Sequence, residues 1–337
     1  MVLARNRISF GLVFAVLALG GLTAVPAMAA NVSCAVEARS PAGPGGDVLS
    51  VIDTSPSVTH IYREDDAIVV FNNADSDPAV CAGGAPTVFD VDRIVYSSAS
   101  GVPFVNYLGD GPLGPGATAE PGEDEIEVSI DEDYKSKVLN VAGTAQSEEI
   151  DVGQLGRRTV GVNLNAQADG AAQDADVTLG VNRGDELTVK VVARGGGDTL
   201  SASGRAFSGV LSSAERLSMS GGPGDDVLNG GPFRDLLSGD TGNDKMIGGR
   251  GRDHLAVGPG RDLANGGKGS DLIVNRSSVG GIPDDLLPDR IFGGPGEDSV
   301  DVAQELAGDQ VDCGPGRDDA FRDRGDLVRG CEDVSAR

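Results

Sequence analysis

Apolar residues along this chain fall mostly on alternate positions, in short runs bounded by glycine, proline, asparagine and aspartate, which is the pattern of half-buried strands. DVLSVI (47–52), AIVVF (67–71) and DRIVY (92–96) are early examples. From residue 124 the runs DEIEVSI, KVLNVAG, EEIDVGQ, VGVNLNA, DVTLGVN, LTVKVVA and DTLSAS follow one another at intervals of roughly 9 to 13 residues. Helical periodicity is nearly absent; its best candidate is LSSAERLSM (211–219), one or two turns. An all-β chain is predicted.

From Gly221 the spacing locks at nine. GGPGDDVLN, GGPFRDLLS, GDTGNDKMI, GGRGRDHLA, VGPGRDLAN and GGKGSDLIV run without a gap to Val274, and GGPGEDSVD (293–301) and CGPGRDDAF (313–321) resume the theme after an insertion. Glycines in the first six positions permit left-handed turns that aim carbonyl oxygens inward, and the last three residues form a minimal strand with one apolar side chain for the core. A fixed period of this form indicates a parallel β-solenoid. Phe233, Asp240, Val257 and Ala264 depart from the pattern, which leaves cation occupancy at their repeats open.

This block resembles the repeats-in-toxin (RTX, hemolysin-type) calcium-binding repeat. More broadly, the order of its segments is similar to that of secreted actinobacterial calcium-binding proteins. The resemblance implies a β-roll that binds Ca2+. The chemistry points the same way. If two nonapeptides make one coil, Asp226, Asp244 and Asp262 stack in one row and Asp235, Asp253 and Asp271 in another. Carboxylates ~4.8 Å apart repel by on the order of 3 kcal/mol at an effective dielectric near 20, so the rows call for cations. Calcium, a hard ion that accepts carboxylates and backbone carbonyls in tolerant geometry, suits them better than magnesium or zinc. Asp298 and Asp318 extend the candidate metal ligands into the two later repeats.

The remaining composition sharpens this picture. A net charge of −25 argues against nucleic acid as a partner. The excess acid lies mainly outside the repeats, with 11 acids against two lysines between Glu120 and Asp151. Within that segment Asp131 and Asp133 do not begin an EF-hand loop, because Ser136 and Ala142 stand where glycine and glutamate are required. Arg5 and Arg7, the apolar run ISFGLVFAVLALGGLTAV and Ala27-Met28-Ala29 read as a secretory signal peptide cleaved after Ala29, leaving a mature chain without a membrane span. In an exported chain, four cysteines suggest two disulfides. Cys313 and Cys331 are 18 residues apart, one coil, which predicts that they pair at equivalent positions and leaves Cys34 with Cys81.

The expected organisation is a signal peptide (1–29), an N-terminal β region or cap (30–118), degenerate solenoid coils (119–220), the calcium-binding β-roll (221–321) and a C-terminal cap (322–337). No H-E-x-x-H or G-x-S-x-G motif is present, and His60 and His254 read as structural. The reading is a secreted, extracellular or cell-wall-associated calcium-binding protein, monomeric and without catalytic residues, in which binding is coupled to folding. Two alternatives stay open. One is a β-helix polysaccharide lyase or hydrolase; the other is an adhesin or surface scaffold that contacts cell-surface or matrix polysaccharide.

Overall fold

A computed structural model describes residues 32–37, 47–53, 59–64, 67–72, 78–86, 91–98, 104–108, 127–130, 136–163 with short gaps, 177–181, 186–202, 214–275, 287–303 and 308–336. The predicted signal peptide, and eight of the 11 acids of the acidic segment, lie outside them. The described residues are all β. Their strands form two facing sheets of 14 and 12 strands, and from Glu186 onward consecutive strands alternate between the two. This is the predicted solenoid, with one strand of each sheet per coil.

Through the repeat block the pairing is parallel with an offset of 18 residues: Leu228 lies beside Met246, Met246 beside Ala264, and Leu237 beside Leu255. Within Lys245–Gly251, burial alternates along the strand, so Met246 is enclosed while Lys245 faces outward. Stacking then places every eighth-position residue of one sheet in a single column. Leu200, Leu228, Met246, Ala264, Ile291 and Val311 form it on one side, and Met219, Leu237, Leu255, Ile273, Val300 and Ala320 face it from the other. All twelve are at most 2% exposed. Each large aliphatic member contributes about 1.5–3 kcal/mol of burial, which makes a core one side chain deep per strand sufficient when it is repeated.

Three features differ from the sequence expectation. Ala214–Pro223 is a strand rather than a helical turn, because Leu217 and Met219 alternate into the core and the segment completes the ladder between Glu186–Val192 and Arg234–Thr241. The earlier coils are not purely parallel. Thr159–Asn163 pairs antiparallel with both Glu149–Gly156 and Val177–Gly180, inserting extra strands into one sheet. The final coils also shorten. Asp312 stands opposite Arg329, 17 residues on, so Cys331 lies one residue past the stacked position expected for it.

Both predicted disulfides are present. Cys313–Cys331 tolerates the shortened coil with a Cα separation of 5.2 Å, and Cys34–Cys81 has one of 4.5 Å. The second bond anchors a segment that crosses the N-terminal end of the solenoid. Val36 donates its N–H to Ala82 and Ala82 to Cys34 on one sheet, while Ala79 donates to Val70 and Ile68 to Pro86 on the other. Backbone groups on both sheet edges are thereby satisfied at that end.

The face assignments carry a direct test. Leu255→Ala should cost about 2–4 kcal/mol in chemical denaturation because it empties a core position, whereas Leu236→Ala, at a site 46% exposed, should cost under about 1 kcal/mol. Equal losses would overturn the inward and outward assignment.

Candidate metal centre

Each coil turns twice, and each turn places the repeat's aspartate on the inside, immediately before the strand. On the first ladder the backbone N–H of Asp198 donates to Oδ1 of Asp226 (2.7 Å), Asp226 to Asp244 (2.8 Å), Asp244 to Asp262 (2.6 Å) and Asp262 to Asp289 (2.7 Å). Asp309 and Asp326 continue it at 2.9 and 3.0 Å. On the second ladder Asp235 donates to Asp253 (2.9 Å), then Asp253 to Asp271, Asp271 to Asp298 and Asp298 to Asp318, each at 2.8 Å. Glu332 ends it by accepting from Asp318 at 2.8 Å.

All eight sequence-predicted aspartates lie on the two ladders: Asp226, Asp244 and Asp262 share the first, Asp235, Asp253 and Asp271 share the second, and Asp298 and Asp318 continue the second. Asp198, Asp289, Asp309, Asp326 and Glu332 were not anticipated. The four aspartates share a legible signal, Asp-x-apolar (Asp198-Thr-Leu, Asp289-Arg-Ile, Asp309-Gln-Val, Asp326-Leu-Val), the strand half of the repeat; three glycines precede Asp198, one precedes each of Asp309 and Asp326, and none stands in the six residues before Asp289. Arg234, Arg252 and Arg261, each directly before a ladder aspartate, are exposed, since neighbouring residues alternate faces.

With one carboxylate oxygen fixed by the backbone, the other decides the chemistry. Oδ2 of Asp226, Asp244, Asp253, Asp271, Asp298 and Asp318 is buried and has no hydrogen-bond partner in the protein. A buried ionised oxygen in that condition is costly. Burial accordingly pushes the carboxyl groups of Asp244 and Asp253 up to about 7, with repulsion from Asp226 adding for the first and from Asp271 for the second. Asp235 is likewise raised to about 7 by burial and by Asp253, although the N–H of Gly231 donates to its Oδ2 at 2.7 Å. Burial also raises Asp298 to about 6 and shifts Asp226, Asp271 and Asp318 upward.

The oxygens gather where glycine lacks a side chain. A Cβ built on Gly266 would lie 2.6 Å from Oδ2 of Asp271 and 2.8 Å from the carbonyl oxygen of Gly293 in the next coil. Gly239, Gly248 and Gly293 stand in the same relation to Asp244, Asp253 and Asp298, and a Cβ on Gly221 would meet the carboxylate of Asp226 first. The cradles at Gly239, Gly248, Gly266 and Gly293 thus each combine one carboxylate with a backbone carbonyl oxygen of the next coil. Among the described residues no three His, Cys, Asp or Glu side chains converge on a point. Such a donor set suits a hard cation that takes carbonyl oxygens, and does not suit zinc.

Other glycines keep the turns stackable. A Cβ on Gly269 would overlap the carbonyl oxygen of Gly251 directly beneath it. Phe233 escapes that clash because it starts its column: the strand below pairs Arg216 with Arg234, and the turn column Gly251, Gly269, Gly296 and Gly316 rises above it. Asp240 adopts φ 68°, a region aspartate tolerates better than most residues, and the hydroxyls of Ser220 and Ser238 donate to its carboxylate at 2.5 and 3.0 Å.

Residues 220–255 and 251–275 match the family model of the RTX calcium-binding nonapeptide repeat in four copies. Repeats of this kind bind Ca2+ in β-roll folds, and the buried aspartate ladders and glycine cradles of this chain fit that ion. Searches of the curated proteins and of the solved structures find no significant match.

The raised carboxyl groups set a pH dependence for the cation-free fold. In the unfolded chain these aspartates ionise near 3.8, while in the fold Asp235, Asp244 and Asp253 hold their protons to about 7. Their stabilising effect is complete below about pH 4 and disappears as pH rises through about 7. In chelator, the melting temperature should therefore be higher at pH 5 than at pH 8, and saturating calcium should reverse the order. A chelated protein more stable at pH 8 would contradict the ladder electrostatics.

Proposed function

We propose that this chain is a secreted, non-enzymatic calcium-binding solenoid in which extracellular calcium orders the repeat block. The observation that carries this reading is the set of buried Oδ2 atoms without protein partners on Asp226, Asp244, Asp253, Asp271 and Asp298, each beside a glycine cradle. When bound, calcium supplies the positive charge that allows these carboxylates to ionise inside the fold. Oδ2 of the ladder aspartates and the turn carbonyls would hold it. The protein's own contribution is to orient Oδ1 with a backbone N–H and to bury the turn beneath two strands.

Without the ion, the fold must keep its aspartates protonated or bear their repulsion at neutral pH, and this is the physical basis for coupling binding to folding. Two disulfides and the signal-like N-terminal sequence support export into an oxidising compartment, where calcium stands at roughly 0.1–1 mM levels matched by extracellular modules. Among the described residues no helix is long and apolar enough to cross a membrane. The ladder carboxylates are at most 2% exposed from Asp226 to Asp271 and lie out of reach of a polymer substrate, which favours a binding role over a lyase or hydrolase.

A scaffold reading of the same rod has one supporting feature, the half-exposed stripe of Leu236, His254 and Leu272 on an outer sheet face, where cell-surface or matrix polysaccharide or a protein could make contact.

Calcium titration of the mature chain, followed by far-ultraviolet circular dichroism, should show β signal rising with a midpoint of roughly 0.1–1 mM and lost on adding chelator. An identical spectrum in chelator and in calcium would refute the coupling.

A further inference from the structure

The two ladders look alike in hydrogen bonding, yet their cradles differ at the first turn position. That position is the residue directly after each strand's third stacked residue, so the ladder registers identify it in every coil. On the second ladder it reads Gly230, Gly248, Gly266, Gly293 and Cys313. On the first it reads Gly221 and Gly239, and then changes to Val257, Asn275 and Val302. Val257, Asn275 and Val302 are fully buried, so the space that glycine leaves open elsewhere is filled there by protein.

Asn275 does more than fill space. Its side-chain Nδ2 donates to Oδ2 of Asp289 at 2.6 Å, the oxygen that faces an open cradle on the glycine rungs. An amide N–H thus stands where a cation would otherwise supply positive charge. Asp235 is closed in another way, by the N–H of Gly231. At Asp318 the first position is Cys313, whose side chain is committed to Cys331.

We infer that only the rungs of Asp226, Asp244, Asp253, Asp271 and Asp298 take calcium, and that Asn275 is a built-in replacement for the ion at Asp289. The inference rests on the calcium-binding reading above and adds which rungs fill. Each of those five pairs a glycine at the first position with a buried Oδ2 that no protein group satisfies. On the first ladder the buried side chains of Val257 and Val302 occupy the cradles beside Asp262 and Asp309, and Asn275 satisfies Asp289, while the second ladder stays calcium-dependent through Asp298 in the same coils. Occupancy of the solenoid is consequently lopsided: one edge of its C-terminal half is held by metal and the other by protein.

The test is calcium stoichiometry on the full mature chain, by equilibrium dialysis with atomic absorption at saturating calcium. Five ions per chain are expected. Asn275→Gly should open the cradle at Asp289 and raise the count by one. Gly266→Ala places a methyl group against Asp271 at a backbone angle open to alanine, and should lower the count by one. Circular dichroism in saturating calcium establishes that each variant is folded, and Gly266→Ala keeps the inference testable if Asn275→Gly is not. A wild-type count of eight or more, or a count unchanged by Gly266→Ala or by folded Asn275→Gly, would overturn it. Absence of any bound calcium in the wild type would instead defeat the calcium-binding reading itself.

Discussion

Everything in this fold follows from placing a carboxylate inside a turn that excludes water. An ionised oxygen there needs a donor or a cation, and a turn of six residues offers few donors. The solenoid satisfies half of each carboxylate with the N–H of the preceding coil's aspartate, and that bond requires the coils to stay in register. The remaining oxygen accepts from Gly231 at Asp235, from Asp323 at Asp326 and from the Asn275 amide at Asp289, and on the glycine rungs it would be left to calcium. Thin aliphatic columns suffice as a core because the turns on both sides are pinned by these bonds at each level.

The same constraint explains why glycine occurs at two distinct places for two distinct reasons. At the fourth position, stacking brings the carbonyl oxygen of the turn below into the volume a Cβ would take. At the first position a Cβ would instead crowd the ladder carboxylate, so a side chain there displaces that oxygen and removes a binding place. Phe233 and Val257 both interrupt the glycine pattern, yet Phe233 starts a column and costs nothing below it, whereas Val257 fills a cradle. Identity alone does not distinguish the two cases; position in the stack does.

Much of this was readable from spacing. A period of nine with two repeats per coil placed Asp226, Asp244, Asp253 and their neighbours on two rows, and it paired Cys313 with Cys331. Asp289 and Asp309 were hidden because the insertion between Val274 and Gly293 and the 20-residue coil that follows break the period, although their Asp-x-apolar strand half survives. AERLSM fits both a helical and an alternating pattern, and only its neighbours in the sheet decide for the strand. The antiparallel strands around Thr159–Asn163 have no local signature, since alternation is the same in either direction.

The ladders also have a direction. Between the ends of each ladder an aspartate gives its N–H to the coil that follows and receives one from the coil that precedes, so no inner rung is complete by itself. Removing the carboxylate of Asp253 would strip a partner from the amide of Asp235, 18 residues earlier, while the amide of Asp253 kept its own. Lesion and symptom are therefore separated by one full coil. Sensitivity profiles drawn along this sequence would report each fault at the address of its upstream neighbour.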